Sequence, residues 1–276
     1  MLVKMAKQYR RPLLTFYLAN PPVKGDRGQD FRRLPDEAVS EDEPLLDALI
    51  RDVIARKGMV RAALEDEDEA QPLPFIGSVS SDVGVERVVE RLRETIGLSL
   101  ADFRAARGAD EAFRLLRTHV ENTGVFVLLL GNLGSHHSNI DAQTFRGFAL
   151  ADEIAPFIII NDQDSRAAWA FTLLHELVHL WLGQTGVSGA WSDRGIERFC
   201  NDVASEYLLP ASEFSEFSPR TPGSVEEEAA GIDAFARERN ISRSMVAYRL
   251  YRSGAISEGR WSALRRHFHD RWYEER

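Results

Sequence analysis

The 276-residue sequence predicts an α+β fold in which helical regions flank a small sheet of about three strands. Three observations lead there. Apolar residues recur at helical spacing through residues 44–64 and again between about 84 and 122. Three short apolar runs after Gly124, VFVLLLG, TFRGFAL and APFIIIN, read as strands between polar loops. A long apolar helical stretch, DQDSRAAWAFTLLHELVHLWLG, follows them directly. With 44% hydrophobic and 28% charged residues the composition is that of a packed globular chain, and disorder throughout is excluded.

Taken in order, the first residues form a helix to about Arg11 and then extend through LTFYLANPPV, where Pro21 and Pro22 forbid a continuing helix. Residues 44–64 place Leu46, Leu49, Ile50, Val53 and Ile54 on one helical face, and EDEDEAQPLPF breaks that helix. VERVVERLRETIG and ADEAFRLLRTHVENTG each run to a Gly, a common stop just past a helix end. After the three strands, Asp164 or Ser165 can cap the apolar helix, which closes near Gly183. A further helix over residues 195–209 ends at Pro210, and three shorter helical pieces complete the chain. The expected organisation is a mainly helical region at 1–122, a core at 123–212 and a helical region at 213–276.

The net charge of −9 argues against broad nucleic-acid affinity, because phosphate binding relies on Lys and Arg displacing counterions. The acid excess at residues 36–47 and 65–69 reads as solvated helix end or loop. No apolar run reaches the roughly 18 residues needed to cross a bilayer, and MLVKMAKQYRR lacks the apolar stretch of a secretory signal, so a cytoplasmic protein with no membrane partner is expected. Cys200 is the single cysteine, which rules out an internal disulfide framework and a Cys-based zinc site. Any metal must be held by His and carboxylates.

The apolar helix carries His175-Glu176-Leu177-Val178-His179, an H-E-x-x-H pattern. Its i, i+4 spacing puts both imidazoles on one face, where they can reach a single Zn²⁺. Glu176 points beside the metal and can take a proton from the attacking water and pass it to a leaving amine, which is the chemistry of peptide hydrolysis. A catalytic zinc site needs a third protein ligand and an open fourth position. Glu197 is the best candidate, 18 residues beyond His179 on the next helix and after a Gly-rich turn that lets the chain fold back; Glu206 and Asp202 are the competing carboxylates. Asn201, one turn after Glu197, is placed to accept from the outer N–H of a ligand imidazole.

FTLLHELVHLWLG (171–183) with IERFCNDVASEYLLP (196–210) resembles the ImmA/IrrE family of metallo-endopeptidases, whose second motif has the form E-x-x-A-N-x-F-A-x-x-L-L-x-P. Glu197, Asn201, Ala204, Leu208 and Pro210 match, while Cys200 stands for Ala and Val203 for Phe, apolar changes that leave the ligands intact. DFRRLP (30–35), TFRGFAL (144–150) and APFIIIND (155–162) are similar to segments of larger members that carry an N-terminal Xre-type helix-turn-helix, and RRPLLTFYLANPP resembles the tail that follows that domain. The resemblance implies a zincin-like core of the gluzincin type, zinc held by His175, His179 and Glu197, and Glu176 as general base. It implies a protein substrate, a repressor or antitoxin, with consequences for transcription regulation or toxin-antitoxin control. The helix-turn-helix would need about fifty residues before Met1, so DNA binding is not expected. ERNISRSMVAYRLYRSGAIS (238–257) reads as helix, turn and helix with Ser242 as cap, and in this resemblance such helices pack on the peptidase core.

Other residues fall outside this pattern. His136 and His137 lie in the loop GNLGSHHSNI, either solvent-exposed or touching substrate, and Arg146 could fix a substrate carbonyl or carboxylate or serve a structural salt bridge. The strand at 144–150 is expected at the sheet edge, lining the cleft. His119, His267 and His269 lack a ligand partner at useful spacing, and Cys200 reads as a small buried hydrophobe. The rival readings are a zinc- or ligand-sensing regulatory module without hydrolysis, and a toxin-antitoxin component acting by protein contact.

Overall fold

The computed structural model describes residues 2–8, 16–17, 42–187, 194–217 and 223–274. The expected linker at 18–41 and the turn at 188–193 lie outside them. Helix α1 spans Leu2–Gln8, and Phe16 and Tyr17 form a 3₁₀ turn where an extended segment was expected. Elsewhere the expected helices and strands are present. By its contacts the chain divides into two units, one of Met1–Ser78, Phe126–Gln163 and His179–Glu197, the other of Val79–Val125, Asp164–Val178 and Arg198–Arg276.

The first unit is a sheet covered by α2 (Glu43–Asp66). Strands β1 (Phe126–Leu129), β2 (Gly147–Leu150), β3 (Phe157–Ile160) and the two-residue β4 (Gly186–Val187) lie in the order β1-β3-β2-β4. β1 runs parallel to β3, whereas β2 is antiparallel to both β3 and β4. Leu46, Leu49, Ile50 and Val53 of α2 pack on Phe148, Leu150, Phe157 and Ile159, alternate residues of β2 and β3 that share a face. Every residue of β2 and β3 is buried, as expected of unbroken apolar strands covered on both faces. β2 is not the edge strand: β4 pairs with Phe148 and Ala149 on its outer side. A two-residue strand carries too little alternation to be seen in a sequence.

The β2–β3 turn is fixed by Asp152, whose Oδ1 accepts the Ile154 and Ala155 amides, each at 3.0 Å. From α2, Arg61 Nη1 donates to both Asp152 oxygens at 3.0 Å, and Lys57 lies at 3.4 Å. Burial alone would push the Asp152 carboxyl up, but these amides and cations bring it down to about 2. Fully buried Asn161 follows β3. Its Nδ2 donates to Ile140 O and Phe145 O, each at 3.0 Å, and its Oδ1 accepts the Gln163 amide at 2.9 Å, tying two loops to the turn that leads out of the sheet.

The second unit is helical. Val88, Val89, Leu92 and Ile96 of α3 (Val85–Ile96), Phe103 of α4 (Leu100–Ala105) and Ala112, Phe113, Leu116 and Val120 of α5 (Ala109–Glu121) are its buried stripes. Near the end of the chain, after the one-turn α8 (Ala211–Phe214), α9 (Val225–Glu238), α10 (Arg243–Arg252) and α11 (Glu258–Glu274) pack on one another. Ser224 and Glu227 form a capping box at the start of α9, and Ser242 accepts the Met245 amide to start α10 as expected. Asn240 donates to the carbonyls of Phe103, Arg104 and Ala106, satisfying the open end of α4. His119, without an expected role, is a structural tie whose Nδ1 lies 3.0 Å from Ile96 O. Among the described residues no helix is long and apolar enough to cross a membrane.

Candidate metal centre

Two helices carry the site residues: α6 (Arg166–Trp181) and α7 (Arg194–Leu208). α6 starts just after the turn in which Asp164 Oδ1 accepts the Ser165 amide at 2.7 Å. Its residues Leu173, Leu174, Val178 and Leu180 are fully buried and Leu177 nearly so, yet His175 and Glu176 are 0% exposed and His179 1%. Three ionisable side chains within two turns of an apolar helix are costly there unless something compensates them.

The compensating arrangement is a convergence. Ligand atoms of His175, His179 and Glu197 all lie within 4.8 Å of one another, and Glu197 Oε1 is 3.0 Å from His179 Nε2. On the other side of the same ring, His179 Nδ1 is 3.1 Å from Gln184 Oε1. An amide oxygen only accepts, so Nδ1 carries a proton, and in the neutral ring that a metal ligand requires Nε2 presents its lone pair on the side of the carboxylate oxygen. Two lone-pair atoms at that distance repel each other unless a proton or a metal ion bridges them. Two imidazoles and one carboxylate are a donor set that suits zinc in a catalytic site, with a further position left for water or substrate.

The end of α6 is built by its own cap. Gly183 has a positive φ of 68°, its amide donates to Leu180 O at 2.9 Å, and the Gln184 amide donates to His179 O at 2.9 Å, the paired bonds of a Schellman ending. A strap crosses this point. Leu73 N bonds Glu153 O, Phe75 stacks on Trp181 with ring centroids 5.6 Å apart, and Gly77 N bonds Leu180 O at 3.0 Å. A Cβ on Gly183 would stand 3.1 Å from the Gly77 Cα, tighter than ordinary van der Waals contact, and the positive φ adds strain for any side chain there.

On α7 the three carboxylates have different surroundings. Asp202 accepts from Tyr248 Oη at 2.7 Å and from Arg252 Nε and Nη2 at 3.0 and 2.7 Å. Burial, with Asp202 alongside, pushes the Tyr248 phenol pKa up, so it stays a donor. Glu206 accepts from Arg249 Nη2 at 2.6 Å and from the Ala211 amide at 3.0 Å. Only Glu197 joins the imidazoles. Arg249 and Arg252, together with Arg243, which lies 3.7 Å from Asp233, engage carboxylates of this chain.

Asn201 is half-buried one turn after Glu197, but the outer nitrogen of His179 meets Gln184 instead. His136 and His137 form an exposed 3₁₀ turn with ring centroids 3.9 Å apart, and Arg146 is exposed just before β2; none of the three belongs to the ligand cluster. Cys200 is buried, as expected of a small hydrophobe. Sequence reasoning missed Gln184, Gly77 and Asn161. For Gln184 a signal existed, because it follows the helix-stopping Gly183 and so falls where a Schellman ending turns the chain back over His179.

No curated protein matches the chain. Residues 127–251 match the model of the peptidase M78 family described as the IrrE N-terminal-like domain, a span that holds the sheet from the second residue of β1, all of α6 and α7, and α10 to its penultimate residue. A metallopeptidase-type function follows from that match, and it agrees with a trio of side chains close enough to bind a metal. Over residues 127–251 the chain thus carries a domain that matches the IrrE N-terminal-like domain of the peptidase M78 family.

Proposed function

We propose that the protein is a zinc-dependent endopeptidase of the gluzincin type that hydrolyses a peptide bond in a partner protein. The observation that carries this reading is the convergence of His175, His179 and Glu197 beside a buried Glu176. Bound zinc would supply Lewis-acid polarisation of the scissile carbonyl and of the attacking water. His175 and His179 offer neutral nitrogens one helical turn apart, and Glu197 closes the set with a charge that offsets part of the metal's own. Glu176 takes the proton of the attacking water and returns it to the leaving nitrogen. A buried carboxylate beside the ligands has little use in a site that only senses a metal, which favours hydrolysis over the sensor reading.

By resemblance the substrate is a repressor or antitoxin, encoded beside this chain and cut at a few bonds. The test pairs metal content with cleavage of neighbouring-gene products. Glu176→Gln keeps the shape and removes the base, so zinc should stay bound while hydrolysis falls by roughly 10² to 10⁴-fold. Cleavage by Glu176→Gln at the parental rate would sink the peptidase reading and leave a regulatory metal site in its place.

A further inference from the structure

The Schellman ending of α6 carries more than a helix stop. In this motif the residue after the left-handed glycine lies over the residue four positions before that glycine, and an apolar contact usually forms between them. Here those two positions are Gln184 and His179, and the contact is a hydrogen bond, Nδ1–H to Oε1 at 3.1 Å, from a ring that is 1% exposed. The backbone makes the same pairing a second time, from Gln184 N to His179 O at 2.9 Å. Side chain and main chain of Gln184 thus hold His179 at two points, one on the ring and one on its carbonyl. Gly183 with its positive φ sets the path of that turn, and Gly77 packs closely against it.

Resting on the metal reading of the trio, we propose that Gln184 is the positioning residue of the metal centre. It fixes His179 as the Nδ1–H tautomer and sets the ring plane, so that Nε2 is presented beside Glu197 before any metal arrives. Ligating imidazoles owe part of their affinity to such an outer partner. The partner here is a neutral amide. Two neutral imidazoles and one carboxylate around a divalent ion leave a net charge of about +1, and an amide acceptor preserves it where a carboxylate would neutralise it. A site tuned this way keeps its Lewis acidity at some loss of metal affinity.

The test is zinc affinity of the full chain, measured by competition with a chromogenic chelator, together with the visible spectrum of the cobalt(II)-loaded protein. Gln184→Leu removes the acceptor and keeps the backbone amide, so zinc affinity should fall about 10 to 100-fold and the cobalt spectrum should shift, while the melting temperature of the metal-free protein stays at the parental value. Gln184→Glu restores an acceptor, so it should bind zinc at least as tightly as the parent and return the spectrum towards it. Parental zinc affinity in Gln184→Leu, or a melting temperature that falls in step with affinity, would overturn the proposal, as would a Gln184→Glu variant no better than Gln184→Leu. A parent chain that binds no zinc at all would overturn the metal reading itself, an outcome distinct from these.

Discussion

The two halves of α7 hold the same kind of side chain in opposite employment. At its start Glu197 faces His179 at 3.0 Å, whereas further along Asp202 and Glu206 are each gripped by cations of α10. All three are half-buried carboxylates on one helix within ten residues. What separates a metal ligand from a structural ion pair is therefore the element each one packs against. A carboxylate set against imidazole nitrogens is placed to share a metal with them, whereas a guanidinium supplies a cation covalently attached to the fold.

That contrast can be broken by exchanging effects along the helix. Glu197→Ala should lower zinc affinity by more than the roughly 10²-fold an outer partner is worth, and leave the stability of the metal-free protein within about 0.5 kcal/mol of the parent. Full zinc occupancy of that variant in elemental analysis would mean the wrong carboxylate has been chosen. Asp202→Ala should do the reverse: it strands Tyr248 Oη and Arg252, costing about 2 kcal/mol in urea unfolding, with chelator competition unchanged. A tenfold loss of zinc affinity at parental stability would place Asp202 in the metal's shell.

A carboxylate far from α7 sharpens the same rule. Asp152 has a folded-state pKa of about 2, lowered from 3.8, so its contribution is fully present above pH 4 and is lost as pH falls towards 2. The stability gap between the parent and Asp152→Asn should be about 2 kcal/mol at neutral pH and close over that window; a gap independent of pH would show that the charge is not what Arg61 and Lys57 recognise. The smallest effect belongs to Glu206→Gln, which keeps the amide contact to Ala211 and weakens only the Arg249 pair, about 1 kcal/mol with zinc binding intact.

How far the sequence could see follows from the range of each interaction. His175, Glu176 and His179 were legible because a helix places i and i+4 on one face whatever surrounds it. The strands were legible as apolar runs, and Ser242 as a cap, for equally local reasons. Choosing among Glu197, Asp202 and Glu206 depends on what packs against α7, and spacing from His179 favours one without excluding the others. Asn201 is readable as a polar residue one turn from a ligand, whereas the outer partner of His179 comes from beyond a helix end, where the path is set by Gly183 and its left-handed φ. β4 escaped notice for lack of length, and with it the covering of the outer side of β2.

The backbone contact of the strap with the end of α6 makes the molecule its own chronometer. The Gly77 amide is bonded to Leu180 O, one residue beyond His179, so its proton can be traded for deuterium only when the strap lifts from the helix end. Exchange at this one amide counts how often that end opens, with no label near the imidazoles. Loading with zinc should lengthen the interval between openings. Because a methyl group on Gly183 would press on Gly77 at 3.1 Å, Gly183→Ala should loosen the strap and set the clock running fast.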